Sequence, residues 1–394
     1  MTRNLRLSLA LLAVALFLTA CPSNPASNVA ITAASADAVA YSADGGDWQV
    51  PDNPDEFTIA ARSSYQVAVR CGDSTNIYAF AVSDATAVDF SCAPEKITYT
   101  VTYDATQVTG ADHVMLFAQQ TSALGSGNTG QIAVTSGVAG TQDLVLVVYD
   151  GTGAAIAARM ETLDVSDGGS YSITVESGDT GHLRGGGSVS DFSSQVPAGW
   201  TSSSGFVVAM TPLGTQVILD FILSSGGSYT SFDFAKHDAV MVSVKDQSPN
   251  PSKTLAQLLT SHAPAASFEV QLPEVFDATV SHEALPEFSN LNRASSDLVG
   301  YHLQIEWGTQ TISALVSKAF LGSSASYRIP DLTGVSGFSG AKPASGETVK
   351  ATAETLESNA DWKDVLKKPL HGMPLDLPDL NVKIAGDIEE YVAP

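Results

Sequence analysis

Five carboxylates crowd into the stretch from Asp44 to Glu56. Asp44-Gly45-Gly46-Asp47 and Asp52-Asn53-Pro54-Asp55-Glu56 both fall on turn-forming residues. Calcium takes roughly six to eight oxygen ligands and favours such loops. The spacing is not that of an EF-hand loop, and the alternative is a solvated acidic loop. Asp44, Asp47, Asp52, Asp55 and Glu56 are therefore a calcium candidate, and no other cofactor is expected. Trp48, in their midst, is either a core residue or a sugar-stacking platform.

Motifs for other chemistry are missing. The chain has no G-x-S-x-G elbow, no H-E-x-x-H, no P-loop and no Rossmann glycine fingerprint. Gly181-His182-Leu183-Arg184-Gly185-Gly186-Gly187 is glycine-rich but lacks a Lys-Ser/Thr pair, and reads as a linker. Histidines 113, 182, 237, 262, 282, 302 and 371 never pair at i, i+2 or i, i+4. His302 falls on the polar face of an alternating segment and is expected in solvent. A zinc site or a Ser-His-Asp triad would have to assemble through space, and a triad is recognised by geometry.

The strongest signal is at the start of the chain. Arg3 and Arg6 precede an apolar run, Leu7 to Phe17, broken only by Ser8, and then Leu18-Thr19-Ala20-Cys21. The run is well short of the ~20 apolar residues that span a bilayer. This is the layout of a secretory signal. The bland alternative is an ordinary signal peptide with an incidental cysteine. With a cysteine at that place it resembles the lipobox of bacterial lipoproteins. The resemblance implies cleavage before Cys21, diacylation of that thiol and acylation of the new amino group. Two or more chains anchor stably where one does not, so the implied partner is a membrane, held through the lipid. No Asp follows Cys21, since Pro22 and Ser23 come next. In a didermal bacterium that leans toward the outer membrane or the cell surface. Residues Pro22 to Asp37 then read as a flexible tether.

The acidic composition suits either plain solubility or a saline, divalent-cation-rich exterior. The formal charge is −23, and losing Arg3 and Arg6 with the signal leaves 17 basic against 42 acidic residues, or −25. A surface this acidic repels nucleic acid and anionic headgroups, so nucleic-acid binding is set aside. With Cys21 taken by lipid, Cys71 and Cys92 remain. Outside the cytoplasm such a pair is expected as a disulfide. It would close a loop of 20 intervening residues, worth roughly 3 kcal/mol in the chain-entropy model.

The elements that must position these residues are strands. Tyr65, Val67, Val69 and Cys71 alternate with Gln66, Ala68 and Arg70; Ile97 to Tyr103 alternates with Thr98, Thr100 and Thr102 outward. Leu144 to Tyr149 is continuously apolar, as in a central strand, and Asp150-Gly151 follows as a turn. Tyr301, Leu303, Ile305 and Trp307 share a late face. Two short helices are expected, at Leu255–Leu259 and at Asn359–Lys368, the second stopped by Pro369. Crossover helices for a parallel α/β sheet are missing.

Asp167-Gly168-Gly169-Ser170-Tyr171 resembles the D-x-G-x-Y corner of immunoglobulin-like domains. There a tyrosine bonds back across the corner. Ile173 stands where the second immunoglobulin cysteine would be. Tyr301-x-Leu303-x-Ile305-x-Trp307, with Arg328-Ile329-Pro330-Asp331-Leu332, is similar to fibronectin III-like modules of bacterial surface proteins. The expected fold is all-β: tandem immunoglobulin/fibronectin-like β-sandwich modules after a lipoprotein signal peptide. The expected division is signal 1–20, lipidated tether 21–36, a small disulfide-bonded β unit 37–94, sandwiches at 95–179 and 180–280, and a fibronectin-like module 281–394. Its proline-broken tail after Gly372 is expected as an edge strand.

These readings point to a lipid-anchored cell-envelope protein with a structural or adhesion/interaction role, not an enzyme, whose partners are other envelope proteins or glycans. The alternative is a carbohydrate- or solute-binding surface lipoprotein, which would need an aromatic-lined hollow with Trp48, Trp200, Trp307 and Trp362 partly exposed. A second alternative is an unrecognised hydrolase, which would need Ser, His and an acid at hydrogen-bond distance in a pocket.

Overall fold

A computed structural model describes residues 26–92, 95–119, 121–248, 250, 252–261, 263–361 and 379–394, side chains at 202–204 excepted. The signal, Cys21, His262, Trp362, His371 and the expected helix beyond Asp361 lie outside the described residues. The chain is all-β and forms sandwich modules. Among the described residues no helix is long and apolar enough to cross a membrane.

The first module holds β1 (Ser27–Thr32), β2 (Ala38–Ala43), β3 (Glu56–Ala61), β4 (Ser64–Cys71), β5 (Ser74–Ala81) and β6 (Ala87–Asp89). The tether expected as far as residue 36 is thus shorter, because Val29 and Ile31 alternate inward and pair with β3. One layer runs β3-β1-β6 and the other includes β2, β4 and β5. Between them pack Ile31, Ile59, Tyr65, Tyr78, Phe80 and Phe90, with Tyr78 stacked on Phe90 at 4.1 Å. The Cys71–Cys92 disulfide ties the end of β4 to the segment after β6, at a Cα separation of 5.8 Å.

The second module is a sandwich of its own. It holds β7 (Lys96–Asp104), β8 (His113–Ala118), β9 (Thr121–Ser126), β10 (Thr129–Val138), β11 (Gly140–Tyr149), β12 (Ala155–Val165) and β13 (Ser170–Thr174). Its two sheets run β10-β7-β13 and β12-β11-β8-β9. The expected tyrosine corner is present: the Tyr171 hydroxyl accepts from Ser166 N at 2.9 Å and donates to Asp164 O at 3.2 Å. The Asp167 carboxylate accepts from Thr98 N at 2.9 Å, pinning the corner to β7, and Ile173 is buried in the core.

The third module holds β14 (Leu183–Val189), β15 (Thr201–Met210), β16 (Gln216–Phe221), β17 (Gly227–Phe232), β18 (His237–Lys245), β19 (Ser252–Ser261) and β20 (Ser267–Phe268). Two sequence expectations change here. The glycine-rich stretch is strand β14, not a linker; a Cβ at Gly187 would lie 2.4 Å from the Tyr229 ring, so the glycine lets that ring lie across the strand. Leu255–Leu259 is part of β19, not a helix: Leu255 enters the main core and Leu258 a cluster on the other face.

The fourth module holds β21 (Thr279–Val280), β22 (Glu287–Ser289), β23 (Leu298–Trp307), β24 (Gln310–Ser317), a helical turn Lys318–Leu321, β25 (Ser326–Arg328), β26 (Thr348–Ser358) and β27 (Asn381–Val392). The tail does not lie on an edge. β27 pairs with β19 on one side and β26 on the other. It therefore joins the third module to the fourth, and a parallel β24–β5 pair joins the fourth to the first. The result is one sheet of 11 strands, β16-β15-β18-β19-β27-β26-β23-β24-β5-β4-β2. β5 shows the consequence: Tyr78 and Phe80 face the first module's core, while Ile77 and Ala79 face the main core.

Candidate functional site

A groove opens where the second module meets the third. Its walls are fixed by burial on both faces of β11. Leu144, Leu146 and Val148 fill their own sandwich, whereas Val145 and Val147 pack with Phe117, Val217 and Phe232 across the junction. This is why Leu144–Tyr149 reads as continuously apolar. A buried polar latch completes the junction. The Asp143 carboxylate accepts from Thr162 Oγ1 at 2.6 Å and Leu213 N at 3.0 Å, and Thr215 Oγ1 donates to the Asp143 carbonyl at 2.6 Å. At the other side Arg159 faces Asp179 at 3.5 Å, and His182 bridges Asp179 and Asp233 at 3.4 and 2.8 Å.

The groove consists of two adjoining hollows of about 320 and 260 Å³. They share Tyr149, Gly153, Ile218, Leu219 and Asp220. Each is near the lower end of ligand-site volumes, about 300–1,000 Å³. Tyr149 stands at the end of β11 with His113 of β8 stacked on it, centroids 5.1 Å apart. Burial pushes the Tyr149 hydroxyl up to about 12, so it stays protonated. The turn after it is held by Asp150, whose carboxylate accepts from Thr152 Oγ1 and from the backbone N–H of Thr152 and Ala154; those bonds lower its pKa. Across the gap lies β16, with Leu124 on the near wall. Phe221 is 72% exposed, Leu124 65% and the neighbouring Leu223 71%. Clustered exposed apolar side chains mark interaction surfaces in soluble proteins. No sequence signal singled out this site, because its residues come from β8, β9, β11, β12, β14, β16 and β17.

The acidic candidates do not converge. The Asp44 carboxylate turns into the loop before β4 and accepts from the N–H groups of Arg62, Ser63 and Ser64. Burial pushes its pKa up, but these bonds outweigh it and bring it down to about 2. Asp47, Asp52, Asp55 and Glu56 are exposed. Among the described residues no three His, Cys, Asp or Glu side chains group as a metal site. Trp48 and Trp200 are half-buried against the main core and Trp307 is buried in it.

His302 is not simply solvated. Its Nδ1 lies 2.8 Å from Glu354 Oε2 and its Nε2 2.8 Å from Ser313 Oγ. The order serine–histidine–acid is that of a hydrolytic triad. Its setting is not. The three residues lie across adjacent strands of a sheet, on β24, β23 and β26. Ser313 sits mid-strand with both neighbours paired, so the adjacent N–H groups belong to the ladder. Gln304, the residue paired opposite Ser313, gives its amide to Glu306 at 2.6 Å.

No protein-family model and no curated protein matches the chain. Three solved structures illustrate what it resembles. A candidate adhesin of Bacteroides ovatus has 10% identity over 47% of this chain and 98% of its own, with a TM-score of 0.18. A Ca2+-stabilised adhesin with which an Antarctic bacterium binds ice has 12% identity over 86% and 91%, TM-score 0.14. The FN1–FN3 domains of chicken CNTN1 have 9% identity over 74% and 88%, TM-score 0.16. At such scores the likeness says nothing about what this chain binds.

Proposed function

We propose that this is a lipid-anchored cell-envelope protein, held through Cys21, that binds another macromolecule at the groove between its second and third modules and catalyses no reaction. The observation that carries the reading is the exposure of Leu124 and Phe221 in the lining of one concave junction. A protein partner suits this surface better than a glycan. Beside the exposed Asp220, Ser228 and Thr230 it offers the exposed Leu124 and Phe221, while the described tryptophans pack against the core. The lipobox supports the anchor, and its absence of a following Asp supports an outer-membrane or cell-surface address.

The test places a photo-crosslinking phenylalanine analogue at Phe221, and separately at Val50, in the lipidated protein on cells. Val50 is 51% exposed and lies outside both hollows. A discrete adduct from position 221 and none from 50 is expected. The same pattern from both positions overturns the groove. For the anchor, Cys21→Ala should leave an unlipidated precursor by mass spectrometry; normal acylation of that variant overturns the lipobox.

A further inference from the structure

We infer that the groove takes an extended segment of a partner protein, with alternating apolar and basic residues, which adds as a new strand to the free edge of β16. The inference rests on the reading of the groove as a binding surface and names the partner's chemistry. Among the described residues β16 is the terminal strand of the 11-strand sheet: β15 pairs with it on one side, and on the other the strand order ends. An unpaired edge presents a row of backbone donors and acceptors that another strand can complete.

Soluble proteins usually blunt such edges with lysine, proline or bulges. β16 reads Gln216-Val217-Ile218-Leu219-Asp220-Phe221 and has neither lysine nor proline. The ladder skips Leu219, since Val207 pairs with Asp220 and Val208 with Ile218, so β16 carries a bulge at its middle, and the Asp220 carboxylate takes the Phe221 N–H at 2.7 Å. Besides these, β17, and β8 of the second module, pack against part of β16, through Val217, Ile218 and Leu219. Ile218, Leu219 and Asp220 line both hollows, so the groove follows the edge. Side chains of an added strand would point alternately to its two faces. One set would meet Leu124, Phe221 and Tyr149. The other would meet the exposed carboxylate of Asp220, while among the described residues no lysine or arginine lines either hollow. Charge complementarity therefore selects basic residues in the partner, in a protein whose net charge is −23.

The mature chain would be panned with a random linear peptide library on phage, with Phe221→Lys as counter-selector. Enriched peptides should alternate apolar and basic residues. A synthetic winner should lose about tenfold or more in affinity for Phe221→Lys and for Leu124→Lys, as expected when a central apolar anchor is removed. N-methylating alternate amides along one edge of the peptide should abolish binding, and methylating the other edge should not. Peptides that need Phe221 and Leu124 yet tolerate methylation on both edges, or that carry helical i, i+3, i+4 spacing, overturn strand addition and leave the groove standing. Peptides indifferent to both lysine variants, or no enrichment above the naive library, overturn the groove as well. Both lysine variants alter exposed side chains, and unchanged circular dichroism separates lost binding from lost fold.

Discussion

The second module and the body formed by the other three solve the same packing problem in different ways. Residues 96–174 close on themselves: among the described residues seven strands make two sheets, and none of them pairs with a strand of a neighbouring module. The first, third and fourth modules share one sheet, so their boundaries in sequence are not boundaries in hydrogen bonding. β27 is the seam, paired along its length with β19 from the third module and β26 from the fourth. The difference teaches that tandem sandwiches need not be beads on a string. It predicts that the body unfolds as one unit and the second module as another.

Removing β27 and the residues after it should break the comparison most sharply. Val382, Ala385 and Tyr391 leave the core, and both β19 and β26 acquire a raw edge. Hydrogen exchange should show β15, β18, β23 and β26 unprotected while β7, β8 and β11 stay protected. Persistent protection of β18 and β23 in the truncated chain would mean that the shared sheet is not one cooperative unit. A smaller effect is expected from Cys71→Ala with Cys92→Ala. The disulfide joins the two layers of the first module, and the chain-entropy model gives about 3 kcal/mol for its loss. Chemical denaturation should register that loss in the body's transition alone.

Much of this was legible in the sequence because it is local. Period-2 alternation identified β4, β7 and β23, the two remaining cysteines identified their bond, and Asp167 to Tyr171 identified the corner. What stayed hidden depends on two buried faces or on distant partners. Leu255, Leu258 and Leu259 sit at i, i+3, i+4, the spacing of a helical stripe. In β19 that spacing arises because the strand buries both faces, with Leu255 and Leu258 in different clusters. The proline-broken, acidic tail after Gly372 reads as an edge strand, and β27 within it carries Lys383, Asp387, Glu389 and Glu390. Its Asp387 is instead half-enclosed: its carboxylate accepts from Ala278 N, and Lys253 lies at 3.9 Å. The groove was invisible for the same reason, since its walls meet only when the second module docks on the third.

That docking gives the next prediction. Asp143 is buried and bonds to both sides of the junction. Asp143→Ala leaves the Leu213 N–H and the Thr162 hydroxyl without their acceptor, at a cost of about 1–3 kcal/mol. Exchange should rise first in the segment 211–215 and at the β11–β12 pair. Crosslinking from position 221 should weaken, because the two walls of the groove lose their register. Loosening confined to β11 and β12, with 211–215 unchanged, would show that the apolar contacts of Val145 and Val147 hold the junction without the latch.

Acid should sharpen the contrast by a smaller amount and with a definite sign. In the body, burial raises the pKa of Asp84, Asp238 and Asp387 above the ordinary value near 3.8. Each penalises the folded state while charged, so acidification through those raised values toward about pH 4 removes a penalty and stabilises the body. In the second module the shifted carboxylates go the other way. Asp104, Asp150 and Asp167 are exposed and lowered, by bonds from Thr106, from Thr152 and Ala154, and from Thr98. Their contribution is present above about pH 4 and is lost as pH falls below it. The body has lowered groups too, Asp44, Asp191, Glu287 and Asp331, so it also weakens below that point. Between neutrality and about pH 4 the denaturant midpoint of the body should rise while that of the second module holds still. Below it, both should fall. Exchange-detected midpoints at three pH values separate the two modules; midpoints that move in parallel across the upper interval would show that the buried acids of the body titrate no differently from the exposed ones of the sandwich.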